Sequence, residues 1–333
     1  MRTALKGLLL CLLLPWGCER LWLEPASTDP EALFDEAWRF VDKRYAYFEE
    51  KGVDWDAEYT RFRAGVESGM EPVALFDTLA NMLFTLRDGH VNLSAPFDRS
   101  RNWQWFLDYP PNFDADLLER SYFQNEQRFV GPFVAYDFGD IGYIRYSSFS
   151  NEFGDGQWET IMNLFSNRQG LIVDIRGNGG GSLGTAYDLA GRFTDETVSF
   201  AQQRYRLAEN REAFSPWETL EITPSDEGQR WTKPVVVLTN RSSYSAASFF
   251  AQMTRTLPNA TLVGDTTGGG AGIPTFTTLA NGWILRASHT QMATLDGVLL
   301  ESGVPVAIQM DLDPDEAAAG RDSMLEAALQ LLR

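Results

Sequence analysis

The sequence predicts an α/β fold, with a helical N-terminal region in front of a core in which strands and helices alternate. Three observations predict it. Apolar residues recur at helical spacing across residues 30–87. From residue 141 onward, short apolar runs alternate with helical stretches, the pattern of strands joined by crossover helices. The chain has 333 residues, 44% hydrophobic and 22% charged, which suits one large core with a small helical unit ahead of it.

Asp29-Pro30 reads as the cap and first residue of a helix whose apolar face carries Phe34, Trp38, Val41 and Tyr45, closed by Gly52. Asp54 caps a second helix with Tyr59, Phe62 and Val66, stopping near Gly69. Pro72 opens a third, with Leu75, Leu79, Met82, Leu83 and Leu86 on one face. Asp88-Gly89 ends it, His90 follows, and residues 91–93 read as a short strand. Residues 94–128 give no periodic signal. Strands are predicted at 141–146, 171–175, 235–238 and 261–263, with helices through Trp158 and Phe165, through Tyr187 and Leu189, and over 245–256. Residues 276–288 read as paired strands turning at Asn281-Gly282, and residues 321–332 as a final amphipathic helix. The expected organisation is a leader at 1–18, a helical domain at 29–90, a linker with small strands at 91–140, and an α/β core at 141–333.

Arg2 and Lys6 precede an apolar run at residues 8–14, and Gly17 stands before Cys18, the layout of an export signal. Cys11 and Cys18 are the only cysteines, so the body of the chain has neither a disulfide nor a thiolate nucleophile. The formal charge of −18 argues against nucleic acid as a partner, because phosphate binding needs a basic surface.

Three features could carry chemistry. His90 is one of two histidines and sits at a helix-to-strand turn, where it is either a surface residue or a general base. His289 falls inside a predicted strand and reads as structural. Asp174-Ile175-Arg176-Gly177-Asn178-Gly179-Gly180-Gly181 follows a buried strand. Its backbone N–H groups could cradle phosphate, form an oxyanion hole, or simply make a turn. No Lys-Ser or Lys-Thr pair follows at the spacing of a phosphate-binding loop. Ser245, at the start of a helix and followed by Ala246 and Ala247, is either an N-cap or a nucleophile.

Taken in order, Leu86-Arg87-Asp88-Gly89-His90-Val91, the 174–181 turn, Ser245-Ala246-Ala247 and Leu262-Val263-Gly264-Asp265-Thr266-Thr267-Gly268-Gly269 resemble the C-terminal-processing and tricorn-like serine peptidases. The likeness runs from about residue 30 to the end of the chain. It implies a crotonase/ClpP-like spiral of ββα units behind the helical domain. One branch of that family pairs its serine with a lysine, whose position here falls at Gly270. None of Lys6, Lys43, Lys51 and Lys233 aligns with it. The other branch uses Ser and His supported by a glutamate near Glu-x-x-Gly-Val, and this chain offers Glu301-Ser302-Gly303-Val304. The resemblance therefore implies Ser245 as nucleophile, His90 as base, Glu301 as the supporting acid, and an oxyanion hole from N–H groups of Gly179 or Gly180 and Ala246.

The chain departs from the family pattern at Ser248, where many relatives have Glu, and at Gly89, where the tricorn pattern has Ser. Only about 50 residues separate His90 from the strand at 141, too few for a PDZ domain. The reading is thus a serine peptidase acting on peptides or unfolded protein tails, with no metal or cofactor. Leu14-Pro15-Trp16-Gly17-Cys18 resembles a bacterial lipobox, which implies a Cys18 lipid anchor to a membrane of the cell envelope. The alternative is a catalytically inactive binding protein of the same fold.

Overall fold

The computed structural model describes residues 27–101, 107–208, 210–226 and 228–333. Helices α1 (Pro30–Arg44), α2 (Phe48–Lys51), α3 (Trp55–Arg63) and α4 (Pro72–Phe84) form the N-terminal unit. The caps do what their residue types predict: the Asp29 carboxylate accepts the Glu31 N–H, and Asp54 that of Ala57. The third expected helix ends earlier, at Phe84, and Leu86 is buried in the turn beyond it. The one-turn α2 was not anticipated.

Strand β1 (Asn92–Ser94) follows. The unassigned stretch then holds α5 (Ala115–Leu118), a π turn at Glu119–Phe123 and β2 (Arg128–Val130). The core continues with β3 (Phe133–Asp137), β4 (Ile141–Tyr146), α6 (Asp155–Phe165), β5 (Gly170–Asp174), α7 (Leu183–Gly191), β6 (Val198–Tyr205) and β7 (Glu218–Ile222). It closes with β8 (Val235–Thr239), α8 (Ala246–Arg255), β9 (Ala260–Gly264), β10 (Pro274–Thr278), β11 (Ile284–Ser288), β12 (Thr290–Ala293), β13 (Ile308–Gln309), α9 (Pro314–Ala318) and α10 (Ser323–Leu332).

A seven-stranded mixed sheet runs β13-β9-β8-β5-β4-β3-β2. Its inner strands β9, β8, β5 and β4 are parallel, and β3 and β2 add antiparallel at one edge. Strands β5 and β8 are buried along their whole length, as expected for strands covered on both faces. Two three-stranded sheets accompany it, β12-β6-β7 and β1-β11-β10.

The second small sheet ties the helical unit to the core. Leu93 on β1 and Leu285 and Ala287 on β11 join Leu279 and Trp283 in one apolar cluster with Phe34, Val41, Leu79 and Leu83 of the helices. The core side of the molecule therefore contributes a hairpin to the helical cluster. In the same way β2 and β3, within the span read as linker, belong to the main sheet. His289 does not lie in a strand: β11 stops at Ser288 and β12 starts at Thr290, and its ring leans on that of Tyr205 at 6.1 Å. Among the described residues, no helix is long and apolar enough to cross a membrane.

Candidate active site

Ligand sites in parallel sheets form beyond the carboxyl ends of the strands. Here β5 and β8 are hydrogen-bonded neighbours, so the turns leaving them meet. The turn after β8 delivers Ser245 at φ 58°, a sparsely populated backbone region for a residue with a side chain. Ser245 stands at the N-terminal edge of α8, yet its side chain makes no capping bond. Its Oγ lies 3.0 Å from His90 Nε2 instead. That geometry decides against the simple N-cap reading.

The strained conformation is held from below. The Ser245 N–H donates to the Gly269 carbonyl at 2.9 Å. The fully buried Ser248 hydroxyl reaches the same carbonyl at 2.8 Å and Thr267 Oγ1 at 2.9 Å. Thr267 Oγ1 in turn accepts the Val304 N–H at 2.9 Å. Ser248 thus fastens the serine turn to the 267–270 run, a role a bulkier Glu would fill differently. Gly270 has φ 68°, and a Cβ there would lie 2.3 Å from the Tyr244 ring. No lysine side chain fits at that position.

His90 comes from the turn after α4. Asp88 Oδ1 accepts the His90 backbone N–H at 2.7 Å, and Asp88 Oδ2 accepts the Ser288 hydroxyl at 2.7 Å, which pins the turn to β11. The imidazole meets the Tyr244 ring edge-on at 5.1 Å. Burial drives its pKa down to about 4, opposed by the Asp88 charge and reinforced by Arg286. The Gly272 backbone also favours the charged ring, but its contact falls short of a hydrogen bond, since the buried Nδ1 has no bonded partner.

The glycine turn after β5 lies against Ser245. A Cβ on Gly180 (φ 95°) would sit 2.8 Å from the Ser245 Cβ and 2.9 Å from the Ala246 nitrogen, so only glycine permits this approach. The Gly180 N–H is already used: it donates to Asn178 Oδ1 at 2.9 Å. The Asn178 amide is itself fixed by the Tyr146 carbonyl at 2.8 Å. Of the two glycines considered for the oxyanion hole, Gly179 is the one whose N–H stays open. It faces the same cavity as Ser245, while Ala246 N–H starts α8 beside Ser245.

Glu301 is buried and makes no hydrogen bond to His90. Its Oε2 accepts the Gly272 N–H at 3.3 Å, and its Oε1 lies 3.4 Å from Lys51 Nζ. Burial, with the Asp88 charge adding, pushes its pKa up to about 8, and Lys51 pulls it back in part. Glu301 and His90 therefore meet only through the Gly272 peptide. Lys51, set aside in the search for a dyad lysine, reaches the site as the partner of Glu301.

Sequence reasoning missed Asp88 and Arg286. Asp88 had a signal, since an Asp two residues before His90 can fold its carboxylate back on that N–H. Arg286 had none. A cavity of ≈ 520 Å³ opens over this assembly, lined by His90, Ser245, Tyr244, the 179–181 turn, Ser148, Asn92 and the arginines 99, 101 and 286. Cys18 lies outside the described residues.

The family model of peptidase family S41 matches residues 140–310, just over half of the 333-residue chain. The chain belongs to peptidase family S41. A second family model, the tricorn protease C1 domain, matches residues 26–84, the helical unit. Within S41, the chain is 27% identical over 180 residues to the carboxy-terminal processing protease CtpA of Bacillus subtilis (strain 168), covering 54% of this chain and 36% of that protein. The CtpB protein of the same organism is 25% identical over 208 residues, covering 40% of its length. The chain thus spans well under half of these curated relatives. A solved protein of Parabacteroides merdae ATCC 43184, classed provisionally as a peptidase, shares 36% identity over 92% of this chain and 97% of its own, with TM-score 0.86. Mature CPAF shares the fold at 13% identity, with TM-score 0.66 over 91% of this chain and 96% of its own.

Proposed function

We propose that this S41 member hydrolyses peptide bonds with Ser245 as nucleophile and His90 as general base. The carrying observation is the 3.0 Å contact between His90 Nε2 and Ser245 Oγ, made by a serine held at positive φ. In the neutral form favoured by burial, His90 Nε2 takes the hydroxyl proton as Ser245 Oγ attacks the scissile carbonyl. It returns that proton to the leaving amine, and water then cleaves the acyl-serine by the same route. The Gly179 and Ala246 N–H groups flank the position of the tetrahedral oxyanion. Asp88 and Ser288 position His90, while Glu301, paired with Lys51, holds the Gly272 peptide beside the ring.

The substrates in this reading are peptides or unfolded tails, since the site lies in a cavity where His90 of the helical unit meets Ser245 of the core. The chain is exported and anchored by lipid on Cys18. Ser245→Ala should retain the fold by circular dichroism but lose peptide hydrolysis by at least about 10³-fold, together with labelling by a serine-directed phosphonate. Undiminished turnover in that variant overturns the assignment.

A further inference from the structure

The molecule carries 46 acidic against 28 basic residues, yet among the described residues no acidic side chain lines the cavity above Ser245, while three arginines do. We propose that Arg286, assisted by Arg99, forms a subsite for a carboxylate of the bound peptide. The proposal rests on the peptidase reading above and adds its specificity.

The subsite is built by strand register. Side chains alternate across a strand, so β11 turns Leu285 and Ala287 into the apolar cluster under the helices and Arg286 to the opposite face. On that face Arg286 stands beside Asn92 of β1 and Phe276 of β10, its cross-strand partners. Asn92 donates to the Gly89 carbonyl at 2.9 Å and accepts from Arg99 Nη2 at 3.0 Å, which swings the Arg99 guanidinium toward Arg286. Phe276, 71% exposed, ends the row and offers an apolar surface beside the charge.

The Arg286 side chain is half-buried and makes no hydrogen bond or ion pair with another described residue. Asp88, the acid that acts on it, already has both oxygens engaged by the His90 N–H and the Ser288 hydroxyl. The Arg99 charge adds to the cost of holding Arg286 out of water. A carboxylate placed between the two guanidiniums would satisfy both through charge-assisted, two-pronged hydrogen bonds. The peptide can supply that carboxylate from its chain end or from an Asp or Glu side chain.

The test compares three fluorogenic peptides of one core sequence: a free C-terminal acid, its C-terminal amide, and the amide carrying a Glu on the leaving side. Wild type should favour at least one carboxylate peptide over the plain amide by about ten-fold or more in kcat/KM. Preference for the free acid assigns the chain end, and preference for the Glu peptide assigns the side chain. In Arg286→Gln the ratio of acid to amide should collapse toward one, and Arg286→Lys should keep part of it. A ratio unchanged in Arg286→Gln, or no preference in wild type, overturns the subsite. The same peptides titrated by fluorescence anisotropy against Ser245→Ala read binding without turnover. Carboxylate-selective binding there with no hydrolysis by wild type would sink the peptidase reading and keep the subsite.

Discussion

At the residue scale, the two titratable groups on either side of Gly272 are driven apart by one cause acting on opposite charges. Burial disfavours the imidazolium of His90 and the carboxylate of Glu301 alike, so the first pKa falls to about 4 and the second rises to about 8. His90 is thereby neutral, and able to accept a proton, well below the usual histidine range. A histidine at its reference value would place the acid limb near about 6.5. The buried setting moves it down. kcat/KM should rise with pH through a transition below 6 and be level at neutrality, as read from a pH profile on a short peptide. An acid limb at 6.5 or above would show that the site hydrates His90 in solution. By itself the depressed pKa of His90 lowers stability as pH drops from about 6.5 toward 4, because the unfolded chain binds that proton more readily, and the raised pKa of Glu301 offsets it by lowering stability as pH climbs from about 4.5 toward 8.

At the scale of elements, the site depends on how turns are anchored behind it. The Asp174-Ile175-Arg176 stretch that leads into the glycine turn is clamped by an ion network with no solvent exposure. Arg176 pairs with Asp174 at 2.6 Å and with Asp322 at 2.9 Å. Asp322 also caps α10, accepting the N–H groups of Met324 and Leu325 at 3.1 and 3.0 Å. Removing that carboxylate leaves a buried guanidinium half-compensated and a helix uncapped. Asp322→Ala should therefore cost about 3–5 kcal/mol of stability, measured as a lowered midpoint in urea at unchanged slope. A loss under about 1 kcal/mol would mean that Arg176 relaxes to another partner. The strongly apolar β5 and β8 and the capped α1 and α3 were legible because pattern and cap chemistry are local. Strands β6, β7 and β13 were not, since they are largely exposed or half-exposed and take their identity from partners distant in sequence.

At the scale of the whole molecule, the helical unit is part of the proposed active site. The apolar cluster formed by Trp283, Leu285 and Ala287 with the helices holds it against the core, and the turn after α4 carries His90 across the junction. His90, the proposed general base, therefore reaches Ser245 only while the two units stay docked. Among the described residues no helix is long and apolar enough to cross a membrane, and the proposed anchor at Cys18 lies outside them. Cys18→Ser should shift the protein from the membrane to the soluble fraction of the cell envelope, followed by fractionation and blotting. Wild-type protein recovered soluble with a free Cys18 thiol would end the anchoring proposal.

The sequence alone determined the class of fold, the identity of Ser245 and His90 as candidates, and the absence of a lysine at Gly270. These follow from local periodicity and from short motifs whose residues are neighbours in the chain. Only the tertiary structure decided that the Ser245 hydroxyl faces His90 rather than capping α8, that Asn178 consumes the Gly180 N–H, and that Glu301 bonds the Gly272 N–H and not His90. It alone brought Asp88, Lys51 and Arg286 to the site. Each of those outcomes depends on strand register and on the meeting of turns from separate elements. Pairing of that kind is set by the burial of whole faces, which no short stretch of sequence encodes.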